Sequence, residues 1–146
     1  MGAAQASDYL ENLFIDHLFR TRTWAKPVGL WVGLLTAAPS DAGGGTEVIG
    51  GSYQRVSLPP GDANWTNTQG NVSGNSSGTT GLTSNAVAIT FAVPSALWGT
   101  VTHFGLFDAH VGGNLLIWDQ LTVGRTIGLG DPAPSFPIST LQIKIQ

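Results

Sequence analysis

Two histidines and an aspartate fall within the eight residues of HFGLFDAH, His103 to His110. Imidazole and carboxylate side chains build zinc sites and general acid–base pairs, provided that they can meet. The surrounding residues alternate, Val101, His103, Gly105 and Phe107 against Thr102, Phe104, Leu106 and Asp108. That is the period of a β-strand. His103 and Asp108 are an odd number of positions apart, so an unbroken strand points them to opposite faces. Asp108 and His110 share a face, but they stand at the mouth of Gly112-Gly113-Asn114, whose glycines suit the positive φ of a hairpin turn. One aspartate and one histidine without a third ligand make a poor metal site. No nucleophile-elbow serine or second carboxylate accompanies them. The expectation is that His103 hydrogen-bonds across strands and Asp108 caps the turn. No catalytic, cofactor-binding or metal-ligating residue is assigned.

The chain around this stretch reads as β, apart from its start. In SDYLENLFIDHLFR, residues Leu10, Leu13, Phe14, His17 and Leu18 recur on one helical face. Asp8 is placed to cap this helix, with Glu11 completing a capping box, and Arg20 and Arg22 suit its C-terminal end. The segment 1–22 is therefore a helix or arm. Either its stripe closes one end of a β-fold, or it docks onto a partner, helped by Ile15 and Phe19 off the main stripe.

After Pro27, Val28–Thr36 is apolar enough for a strand buried on both faces. Ser52–Leu58 is a short strand stopped by Pro59-Pro60. Residues 86–93 alternate as a strand, Leu115–Val123 returns from the glycine turn, and Leu141, Ile143 and Ile145 alternate at the end. Between these lies Gly61–Ser84, a long polar loop rich in Ser, Thr, Asn and Gly, in which Trp65 and Leu82 are the large apolar anchors. The predicted fold is a mainly β, antiparallel β-sandwich or jelly-roll-like domain over residues 1–146, with one N-terminal α-helix.

Composition excludes several functions. Charged residues make up 10% of the 146, and the net charge is −3. Without a basic patch nothing displaces the counterions of a nucleic acid. There is no cysteine, so disulfides and thiol chemistry are out. Gly43-Gly44-Gly45 is not followed by the Lys-Ser/Thr of a phosphate loop. The start lacks the basic and apolar regions of a secretory leader, so no leader is expected and the sequons at Asn64, Asn71 and Asn75 read as accidental. Gly2 is followed by Ala6 where a myristoylation signal has Ser or Thr. No apolar run spans a bilayer.

Two stretches, GLWVGLLTAAPSDAGGGTEVIGGSYQR and WGTVTHFGLFDAHVGGNLLIWDQLT, resemble a family of small tailed-bacteriophage virion proteins. Members are commonly labelled phage tail fibre protein, and similar chains look like head decoration or cement proteins. The helix at 8–19 and the late Gly130-Asp131 before Phe136 fit the same pattern. The resemblance implies a virion structural protein without catalytic residues. The favoured expectation is a decoration protein on the major capsid protein, assembled as a homotrimer, with Trp65, Leu82, Ile15 and Phe19 at the partner interface. A tail or tail-fibre component is the alternative. From another class, a carbohydrate-binding module is suggested by the five tryptophans.

Overall fold

A computed structural model describes residues 3–145, so the reading at Gly2 lies outside the described residues. The protein is mainly β with antiparallel sheets and one helix. In chain order come β1 (Gln5–Ala6), α1 (Asp8–Phe19), β2 (Trp31–Ala37), β3 (Thr46–Glu47), β4 (Val56–Ser57) and β5 (Leu82–Ser84). There follow β6 (Ile89–Thr90), β7 (Gly99–Phe107), β8 (Leu115–Ile127), β9 (Ser135–Phe136) and β10 (Gln142–Lys144). The main sheet runs β1-β8-β7-β2-β3, with β4 also pairing β2. Two ribbons, β10-β5 and β6-β9, complete the fold.

β2 and the second half of β7 carry the expected alternation, but an irregularity between Val101 and His103 brings Val101 into the same core as Phe104 and Leu106 instead of the opposite face. Val32, Leu34, Phe104 and Leu106 are paired side by side across β2 and β7 and are buried at the centre of the core. Ile89, Phe91, Trp98, Leu141 and Ile143 join them from the ribbons and the connecting loops. On the other face of the sheet Gly33 pairs with Gly105, and a Cβ on either would strike the Phe107 ring. These two strand glycines clear the space that Phe107 fills.

Several boundaries differ from the sequence reading. Val28 is 97% exposed and the strand begins at Trp31. Only Val56–Ser57 of the 52–58 stretch pairs, because Ser52 takes φ 66° in a turn. Of residues 86–93 only Ile89–Thr90 is a strand. Ile145 lies beyond the last pairing and is exposed, unlike Leu141 and Ile143. Trp31 and Trp118 are half-buried, and Trp98 is the buried tryptophan among the described residues.

The helix forms where predicted, but not as a lid. Its cap is Ser7, not Asp8: the Ser7 hydroxyl accepts from the Leu10 N–H at 3.3 Å and donates to the Leu115 carbonyl at 2.6 Å. Backbone bonds from Ser7 N to Leu116 O and from Asp8 N to Asp41 O hold the same turn to the body. No α1 residue is buried. The helix is tied down by its first turn, because pairing of β1 on the edge of β8 fixes where it starts; Leu10 and Leu13 of its stripe are half-buried, while Phe14, His17 and Leu18 stay in solvent.

Candidate functional site

The histidine stretch resolves into hairpin architecture. Asp108 accepts from the Asn114 backbone N–H at 2.6 Å and from its side-chain amide at 2.8 Å, closing the turn across Gly112 (φ 64°) and Gly113 (φ 69°). A side chain on Gly113 would collide with that carboxylate. His103 bonds Thr102 through Nδ1 at 2.8 Å, beside it on the same strand rather than across strands as expected. Its ring packs 5.9 Å from Trp118, because the partner opposite, Gln120, leaves the neighbouring indole as the large surface there. His110 is exposed on the turn. Among the described residues no three His, Asp or Glu side chains gather to share an ion.

The densest polar cluster lies elsewhere, at residues the sequence reading passed over. Arg55 forks onto Glu47, with Nε–Oε1 at 2.8 Å and Nη2–Oε2 at 2.7 Å. Its remaining Nη1 donates to the carbonyls of Ala109 (2.7 Å) and Gly112 (2.8 Å) in the hairpin turn. Tyr53 donates to Glu47 Oε1 at 2.8 Å and accepts from the Leu34 N–H at 2.9 Å. That hydroxyl fills the gap where β2 leaves β4 and has not yet met β3. Burial pushes the Tyr53 phenol above its ordinary range; the Leu34 bond opposes this and the Glu47 charge adds to it. Four of the five Arg55 N–H groups and the Tyr53 hydroxyl are spent on protein, so the chemistry of the cluster is that of a clamp. The available signal was slight: Arg55 lies in a short strand-like segment of a chain with only six basic residues.

A second unforeseen residue is Asn85, which is fully buried. Its amide donates to the carbonyls of Val87 (2.8 Å) and Pro137 (2.9 Å) and accepts from Leu141 N at 2.9 Å. It stitches β5 to the C-terminal segment.

The four candidate interface residues fall into two pairs. Ile15 and Phe19 are exposed on α1, together with Tyr9, Phe14 and Leu18. Trp65 and Leu82 sit at the two stems of the polar loop. Trp65 bridges to Asn85, donates through Nε1 to the Leu58 carbonyl at 3.2 Å, and packs on the core. Leu82 is a strand residue of β5 paired with Lys144. The loop between them is knitted by its own side chains: Asn67 Oδ1 accepts from the Gln69 and Asn71 N–H groups, and Thr68 bonds Gly78 and Thr80.

Residues 5–144 match a family model described as Podophage GP4 fiber I protein gp80. No curated protein matches the chain.

Proposed function

Since this chain belongs to the Podophage GP4 fiber I protein gp80 family, and is thereby a structural protein of the bacteriophage virion, we propose that it serves as a tail-fibre component attached through α1. The family description fits a fibre better than the head decoration favoured from the sequence, and it supports a non-enzymatic role. The observation that carries the attachment is the helix: five large apolar side chains, Tyr9, Phe14, Ile15, Leu18 and Phe19, are exposed on a twelve-residue element. Scattered apolar residues are ordinary on a surface, whereas such a concentration marks an interaction site.

The partner surface follows from charge. Arg20, Arg22 and Lys26 are half of the chain's six basic residues, and they flank the exposed end of the helix. Arg20 is engaged with Asp16 at 2.9 Å, which leaves Arg22 and Lys26 for a partner. The complement is an apolar groove with an acidic rim on another virion protein, read as a helix-in-groove contact. A trimer of this chain would present three such helices and gain from multivalency.

Localisation of the chain in virions by cryo-electron microscopy tests the placement. Density in a fibre supports it, and density spread over the head lattice restores the decoration reading. Phe14→Ser with Leu18→Ser should abolish incorporation while leaving the melting temperature unchanged, because neither side chain is buried. Normal incorporation of that variant would remove α1 from the attachment.

A further inference from the structure

The core is not closed beneath the 61–84 loop. A cavity of about 440 Å³ lies between that loop and the main sheet. Its floor is apolar: the half-buried Leu30 and Ile117, backed by the buried Leu106 and Ile143. Trp65 also lines it, and since the indole N–H is spent on the Leu58 carbonyl, what Trp65 offers is aromatic carbon. The roof is polar, carrying Asn71 and Asn75, and Asp62 joins the lining. The pocket is open to solvent, and the loop over it is built largely of Gly, Ser, Thr, Asn and Gln, which supply little apolar side chain to close it.

The polar groups of the lining are unequal. The Asn67 amide is consumed inside the loop, with its oxygen accepting two N–H groups and its nitrogen donating to Ser73 O. Among the described residues the side chains of Asn71, Asn75 and Asp62 make no protein hydrogen bond, and they border the same space. Among the described residues no Lys, Arg or His lines the cavity, and Asp62 is the only charged side chain there. A carboxylate without a compensating cation disfavours phosphate, sulfate or uronate ligands.

An apolar floor with an aromatic wall, a roof of free amides and one free carboxylate call for a ligand with one C–H face and several hydroxyls. The volume lies within the range of small-ligand sites. We propose that this cavity binds a neutral saccharide of one or two rings, stacked on Trp65 and held through its hydroxyls by Asn71, Asn75 and Asp62. Of the five tryptophans that raised carbohydrate binding at the sequence level, Trp65 is the one that lines this cavity. The inference rests on the cavity alone and is independent of where in the virion the chain sits.

Saturation-transfer NMR on the full chain tests it, with glucose, galactose, mannose, N-acetylglucosamine, maltose and lactose as probes and glucuronate as the charged comparator. The expected result is transfer to at least one neutral sugar, with methyl shifts at Ile117 and Ile143. The Asn71→Ala, Asn75→Ala double variant should weaken that binding about tenfold or more, without moving the melting temperature. Any of four results overturns the proposal: no transfer to any neutral probe, shifts mapping away from the cavity, undiminished binding by the double variant, or glucuronate bound as tightly as its neutral counterpart. None of them touches the fibre reading.

Discussion

The guanidinium carbon of Arg55 lies 3.5 Å from the centre of the Phe107 ring, stacked on the end of β7. The same side chain is 7% exposed and reaches the Glu47 carboxylate and two turn carbonyls. One residue thus ties β3, β4 and the β7–β8 hairpin together, through a planar fork that a lysine does not possess. Arg55→Lys is expected to destabilise the protein by roughly 2–4 kcal/mol, since it strands Glu47 and two carbonyls. A double-mutant cycle with Glu47→Gln, followed by chemical denaturation, should give coupling above about 1 kcal/mol. Additive effects would contradict the clamp.

Asn85 makes a sharper case, because its donor and acceptor are both used. Asn85→Ala leaves the Val87 carbonyl and the Leu141 N–H unpaired in the core, at a cost of roughly 2–4 kcal/mol. Asn85→Asp should be at least as damaging, since a carboxylate would face the Val87 and Pro137 carbonyls. If the aspartate variant melts like wild type, the amide orientation described above is wrong.

Tyr53 sets the alkaline limit. Burial holds its phenol above the ordinary tyrosine value of about 10. The folded state therefore binds this proton more tightly than the unfolded chain does. The associated stability is complete below about pH 10 and declines as the pH rises beyond it. Melting temperatures followed from about pH 8 to about pH 11 should fall at the upper end. Tyr53→Phe should lower stability at neutral pH, because Leu34 N and Glu47 lose a partner, yet flatten the alkaline decline. An unchanged slope in that variant would assign the decline to another group.

The tryptophans should separate by burial. Trp98 donates to the Gly51 carbonyl at 2.8 Å and meets the Tyr53 ring edge-on at 5.3 Å. Trp98→Ala should cost roughly 3–5 kcal/mol and abolish folding at elevated temperature. Trp65→Ala, which removes a half-buried ring from the margin of the core, should cost less. Thermal melts of the two variants decide this, and a reversed order would mean that the loop side of the core bears more of the fold.

Much of the architecture could be read from residue order because local rules carry it. The alternation of Val101 to Phe107 placed the central strand, and Gly112-Gly113 demanded a turn that only positive φ allows. His103 and Asp108 are apart for another reason than parity, since β7 ends at Phe107: one packs beside Trp118 and the other closes the turn onto Asn114. The i, i+3, i+4 pattern located α1 to its ends. Such signals depend on neighbours within a few positions, and the sequence holds all of them.

Tertiary structure decided the rest, where partners are distant in the chain. Arg55 meets Ala109 and Gly112 more than fifty positions away, and Asn85 meets Pro137 and Leu141 at similar separation. No periodicity encodes such meetings. Whether the stripe of α1 would be buried also lay beyond pattern, since amphipathicity creates an apolar face without naming what covers it. The edge pairing of β1 with β8 and the cap at Ser7 fixed the helix by one end and left Phe14, Leu18 and Phe19 in solvent. The cavity under the 61–84 loop arose likewise: composition made that loop polar, but only the packed sheet put Leu106 and Ile117 beneath it.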